Sequence, residues 1–195
     1  MKRLLFILAL TLTFVACNRH SEHWAYSDIY YLRERGIING LDKDHFNPNG
    51  NITREQFAKI LCAALEFKTT DTNTSFADVD SDAWYAPYIS AILEKGIVTG
   101  VNNETFGVGE NITRQDLCTM IYRAIDNENL AYTALGFTDD DSISEYARDA
   151  VAVLKGLEIV NGYEDGSFNP KGLCTRAEAA KIICKLLAQM EVLSK

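Results

Sequence analysis

Histidine is scarce in this 195-residue chain, and none of the three (His20, His23, His45) lies beyond residue 45. A histidine-dependent catalytic dyad would therefore need one of these N-terminal residues. The sequence has no G-x-S-x-G, no G-x-x-x-x-G-K-[ST] and no H-E-x-x-H, so the common nucleophile, phosphate-cradle and zinc-protease motifs are absent. There is also no C-x-x-C and no metal-ligand spacing among Cys17, Cys62, Cys118, Cys174 and Cys184. Basic residues are outnumbered, with 19 Lys and Arg against 27 Asp and Glu, for a net charge of −8. That excess argues against general nucleic-acid binding, which needs clustered cations. An anionic ligand would have to be caught by a local site against the global field.

Long apolar runs are missing except one. Leu4–Val15 is apolar over almost its whole length and follows Lys2 and Arg3. The run is too short for a mature transmembrane helix but suits a secretory signal, giving a leader over residues 1–16. Phe14-Val15-Ala16-Cys17 resembles a bacterial lipobox, with Phe14 where Leu is usual. Lipidation of Cys17 is the first expectation, ordinary cleavage the second and an uncleaved anchor the third. Four other cysteines leave disulfides open, but Cys62, Cys118 and Cys184 fall in helical patterns, which favours buried thiols.

The remaining sequence repeats. An aromatic (Trp24, Trp84, Tyr146) precedes a glycine (Gly40, Gly100, Gly162) by 16 residues in every copy. The glycine precedes a Thr-Arg pair (Thr53-Arg54, Thr113-Arg114, Thr175-Arg176) by 13 residues. Each copy reads as helix, loop, helix. Ile89, Ile92 and Leu93 have helical spacing in the first helix of the second copy. Gly36 and Gly96 fit a left-handed helix end, and Glu158 at that place in the third copy predicts a reshaped end. A Phe stands six residues after each loop glycine (Phe46, Phe106, Phe168) and should plug the core. Thr with Gln56, Asp116 or Glu178 three residues on predicts a capping box opening each second helix, weakest at the shorter Asp116.

Apolar residues then recur 4, 7, 8, 11 and 12 positions after each Thr, as in Phe57, Ile60, Leu61, Ala64 and Leu65. This is a core-facing helical stripe. One such pair cannot bury its apolar face alone, so three copies should pack as one cooperative unit. Residues 68–75 and 127–135 read as linkers.

Phe76-Ala-Asp78-Val79, Gly96-Ile-Val-Thr-Gly100, Asp165-Gly166-Ser167-Phe168-Asn169-Pro170 and Thr175-Arg176-Ala177-Glu178 resemble the S-layer-homology domain family over roughly residues 20–190. The resemblance implies a mostly α fold of three repeats (17–67, 75–126 and 136–190) in a pseudo-threefold assembly. It implies grooves between repeats that bind a secondary cell-wall polysaccharide or modified peptidoglycan, in several members through a pyruvyl ketal held by the motif arginine. Carried over, the ligand-binding residues are Arg54, Arg114 and Arg176, with Gly40, Gly100, Gly162, Trp24, Trp84 and Tyr146 lining the grooves. A helix N-terminus with a planar guanidinium suits a carboxylate, and an aromatic ring suits a sugar's apolar face.

The expected protein is exported to a bacterial cell envelope, non-catalytic, and without metal or cofactor. An envelope lipoprotein that docks another protein is the alternative. The first copy lacks the Phe-x-Asp segment, the third has Tyr146 for Trp, and the second is the most complete. Alternating acids at Asp78, Asp80 and Asp82, or Asp42 and Asp44, lack the Gly and Glu of an EF-hand loop. Capping and solvation also account for Asp78, Asp80 and Asp139–Asp141 better than glycoside hydrolysis does.

Overall fold

In a computed structural model, residues 23–40, 42, 45–125 and 132–193 are described. The leader, Cys17 and the start of the second linker lie outside them. Among the described residues six α-helices follow in order: α1 Tyr26–Glu34, α2 Arg54–Ala64, α3 Ala86–Glu94, α4 Arg114–Ile125, α5 Glu145–Gly156 and α6 Arg176–Leu193, with a 3-10 turn at Asp140–Ser142. No strand forms among the described residues, only isolated bridges.

The predicted stripes build the core. Phe57, Ile60, Leu61 and Ala64, then Leu117, Met120 and Ile121, then Ala179, Ile182, Ile183 and Leu186 are all buried. Phe46, Phe106 and Phe168 enter the same cluster from their loops. Cys62, Cys118 and Cys174 are buried free thiols, and Cys184 is free and half-buried. Burial pushes each of the four thiols up to about 12, so they behave as small hydrophobes.

Helices pack between repeats rather than within them. α2 lies against α3, α4 against α5, and α6 returns to α1. The backbone closes the same circuit. Ile112 N donates to Ile52 O, Cys174 N to Ile112 O, and Ile52 N to Cys174 O, each at 3.0 Å. Around it Arg54 N reaches Glu110 O, Arg114 N reaches Gly172 O, and Arg176 N reaches Gly50 O, each at 2.9 Å. The first N–H of each second helix, an orphan in an isolated helix, is thus satisfied by another repeat.

The end of α5 corrects one expectation. Glu158 takes φ 58°, beside 68° at Gly36 and Gly96. Ile159 N bonds Leu154 O at 2.9 Å, as Ile37 N bonds Leu32 O and Ile97 N bonds Ile92 O. The helix end is therefore not reshaped; burial of Ile159 and Val160 holds a non-glycine residue in the left-handed region. Glu158→Gly should raise stability by about 1 kcal/mol, read as a higher urea midpoint with unchanged slope.

Candidate functional site

Each second helix places its arginine at its first residue, and each arginine is spent partly on the neighbouring repeat. Arg54 Nε donates to Phe106 O at 3.0 Å, and Arg176 Nε donates to Phe46 O at 2.8 Å and its Nη2 to Asn39 O at 2.8 Å. Arg114 differs: Nη2 donates to Asn161 O at 2.8 Å, while Nε is buried and has no hydrogen-bond acceptor among the described residues. The guanidinium carbons lie 5.1, 5.0 and 4.5 Å from the rings of Phe106, Phe168 and Phe46. All three arginines are 7% exposed. They tie repeat to repeat as well as lining clefts.

Those clefts are three. The first groove, about 340 Å³, gathers Gly40, Gln56 and Lys59 from the first repeat, Trp84 from the second and Arg176 from the third. The second, about 420 Å³, gathers Gly100, Asp116 and Arg123 with Arg54 and Tyr146. The third, about 550 Å³, gathers Gly162, Tyr163, Glu178, Lys181 and Lys185 with Arg114 and Trp24. The nine residues expected to bind ligand therefore fall three to a groove. Of these nine, each groove receives one arginine, one glycine and one aromatic, drawn from three different repeats.

The glycines are required by the turns. A Cβ on Gly100, whose φ is +81°, would stand 2.4 Å from the carbonyl oxygens of Asn102 and Thr105. The aromatics are rims rather than core: Trp24, Trp84 and Tyr146 are 57%, 52% and 54% exposed. Lys181 Nζ stands 5.1 Å from the Trp24 ring and Lys59 Nζ 5.6 Å from that of Trp84. These cations were not singled out from the sequence, although Lys59 and Lys181 share one register, six residues after Thr.

The residue three after each Thr separates the grooves. Asp116 Oδ2 stands 3.8 Å from Arg54 Nη1, and Glu178 Oε1 stands 3.8 Å from Arg114 Nη1. Asp116 does not complete the expected box in the usual way: it meets the Thr113 hydroxyl at 2.6 Å and accepts from Tyr146 Oη at 2.7 Å. Glu178 accepts from Thr175 N at 2.8 Å and from Tyr163 Oη at 2.6 Å. Burial pushes the Glu178 carboxyl up, but the Tyr163 and Thr175 hydrogen bonds and Arg114 outweigh it and hold it below its usual range. Burial and then the bond to Asp116 push Tyr146 up to about 12; burial and the bond to Glu178 do the same for Tyr163. Among the described residues no group of three or more His, Cys, Asp or Glu side chains could hold a metal, and no helix is long and apolar enough to cross a membrane.

Three helical repeats that close on one another and share these clefts define a three-repeat helical module. The S-layer homology domain model matches residues 19–58, 75–118 and 136–180, and the chain belongs to that family. It is 35% identical over 179 residues to "Exoglucanase XynX" of Acetivibrio thermocellus, covering 89% of this chain and 16% of that protein. It is 36% identical to "Amylopullulanase" of Thermoanaerobacterium thermosulfurigenes, over 87% of this chain and 9% of that one. "S-layer protein sap" of Bacillus anthracis is 30% identical, over 85% and 20%. The chain thus spans no more than a fifth of any of these relatives.

Proposed function

We propose that this chain is an exported, non-catalytic anchor that holds a cell-wall polysaccharide or modified peptidoglycan in the grooves between its repeats. In this reading residues 1–16 are a removed leader, Cys17 carries a lipid, and residues 17–67, 75–126 and 136–190 form a pseudo-threefold assembly at the envelope. The single observation that carries it is the composition of the grooves. A guanidinium at a helix N-terminus supplies donors for an acidic group, and an exposed ring beside it supplies a stacking face. A site spread over three repeats also makes binding depend on the closed ring. Relatives named as S-layer proteins favour a wall ligand, and the enzyme-named relatives favour an attachment role for the stretch they share with this chain. A pyruvyl ketal is a suitable acidic terminus for the polysaccharide.

The test uses residues 18–195, which contain every described helix, in a sedimentation assay with purified sacculi. Because the three aromatics are exposed, Trp24→Ala/Trp84→Ala/Tyr146→Ala should stay folded by circular dichroism. Its retention should fall by about tenfold or more, the loss expected of removing several modest stacking contacts. Unchanged retention of the folded variant would exclude the grooves. Failure of the parent chain to bind sacculi at all would bring the protein-docking alternative forward.

A further inference from the structure

We propose that Asn18 is the clamp of the first repeat: its side-chain oxygen holds the turn of Phe46 and Asn47 as Asp78 and Asp139 hold theirs. The residue next to the end of the leader is thereby tied to the wall of the first groove. The inference stands on the turns and on the count between repeats, and it does not depend on what the grooves hold.

The three loops end in one turn. Its second residue is left-handed in every copy, with φ 53° at Asn47, 90° at Gly107 and 55° at Asn169. It closes alike in each: Gly50 N donates to Asn47 O at 3.1 Å, Glu110 N to Gly107 O at 3.2 Å and Gly172 N to Asn169 O at 3.0 Å. In two copies an aspartate gathers the N–H groups of the turn. Phe106, Gly107 and Val108 donate to Asp78, and Phe168 and Asn169 donate to Asp139. Each aspartate arrives on a segment that also pairs with its loop, through Ala77 N to Glu104 O at 2.7 Å and Thr138 N to Gly166 O at 3.0 Å. In the first copy Phe46 N and Asn47 N meet no acceptor among the described residues, yet the turn keeps its shape and Phe46 is buried. Buried backbone N–H groups are paired in nearly all folded chains. Pro48, like Pro170, has no N–H, so the clamp has two donors to meet.

The count names the acceptor. α1 and α3 both begin two residues after their tryptophans, Trp24 and Trp84, so the second copy sets the register for the first. Asp78 stands six residues before Trp84, and six before Trp24 is Asn18, which lies outside the described residues. An asparagine has the reach of an aspartate and keeps one acceptor oxygen, whose two lone pairs suffice for two N–H groups. The turn bears on the groove through its carbonyl: Phe46 O accepts from Arg176 Nε at 2.8 Å. Asn18 is thus a positioning residue for Arg176. Cleavage of the leader before Cys17 keeps Asn18 on the chain, and a cut a few residues later removes it. The point of processing then decides whether the first groove is finished.

The test uses the chain from residue 17 on, with Cys17→Ser to prevent disulfide exchange. Amide exchange is followed at Phe46 and Asn47, with Phe106 and Phe168 as internal references. Asn18→Ala should speed exchange at Phe46 and Asn47 about tenfold and leave Phe106 and Phe168 unchanged. Asn18→Asp should slow it by a similar factor, since a carboxylate is the stronger acceptor. The N–H resonances of Phe46 and Asn47 in Asn18→Asp should also follow an additional carboxyl titration below about pH 5, absent from the parent. That signature needs no weakened variant, so the test does not hang on the alanine variant folding. Exchange in a folded Asn18→Ala equal to that of the parent overturns the proposal. So do Phe46 and Asn47 resonances in Asn18→Asp without the added titration. Protection that rises with protein concentration places the acceptor on a second copy and overturns it as well.

Discussion

Arg176→Ala should lower unfolding stability by about 3 kcal/mol, seen as a loss of about 8 °C in Tm. The side chain is 7% exposed, and it crosses from the third repeat to the first. Removing it leaves the carbonyls of Phe46 and Asn39 without their charged donors and uncovers one face of the Phe46 ring, 4.5 Å from the guanidinium. Hydrogen bonds to charged donors each contribute more than neutral ones, and an abandoned buried acceptor costs its desolvation. Arg176→Lys keeps the charge but lacks the planar fork, so it should recover less than half of the loss. Thermal melts of the three proteins in one buffer decide the matter, and a shift below about 2 °C for the alanine variant would show that the contacts are dispensable. The same argument bears on function. Loss of wall binding in an arginine variant mixes ligand loss with opening of the ring between the first and third repeats, whereas Trp24 and Trp84 can be removed from the rims without touching the core, and Tyr146 gives up only the bonds of its hydroxyl to Gln115 and Asp116.

That dual use of the arginines marks where the sequence stops being readable. Repetition at constant spacing disclosed the helices, the plugging phenylalanines and the capping residues, because each follows from local chemistry repeated three times. It also named the residues that now share the grooves. Which copy supplies which wall of a groove was not legible. Spacing says that Arg54, Arg114 and Arg176 are equivalent; it does not say that Arg54 Nε bonds a carbonyl 52 residues on, while Arg176 Nε reaches one 130 residues back. The exposure of the tryptophans was likewise undecided, since a ring opening a helix serves a core or a rim equally well until its neighbours are fixed. Glu158 shows the opposite case. Its local preference pointed away from a left-handed helix end, but burial of Ile159 and Val160 beyond it exceeds the roughly 1 kcal/mol that a side chain costs there.

Asp78→Asn should cost about 2–3 kcal/mol at neutral pH, and the cost should vanish in acid. The Asp78 carboxylate accepts from the backbone N–H groups of Phe106 at 2.7 Å and of Gly107 and Val108 at 2.8 Å. One side chain thus clamps the whole turn that delivers Phe106 to the core and lies beside Arg54. Asp139 performs the same task in the third repeat with two donors, Phe168 N at 2.7 Å and Asn169 N at 2.8 Å, so Asp139→Asn should cost less. An amide keeps one acceptor oxygen and turns the other position into a donor, facing N–H groups that cannot accept. The pH dependence follows from the charge. Burial pushes the Asp78 carboxyl up, but the bonds from Val108, Phe106 and Gly107 outweigh it and hold it below its ordinary 3.8. A carboxyl more acidic in the folded chain than in the unfolded one stabilises the fold fully above the unfolded value, near 4, and loses that contribution as pH falls through the folded value. Urea unfolding of the parent and Asp78→Asn at several pH values between about 7 and 2 should therefore give curves that run parallel above about pH 5 and converge below it. A gap of constant size down to the lowest pH would mean that Asp78 acts through its shape and not through its charge.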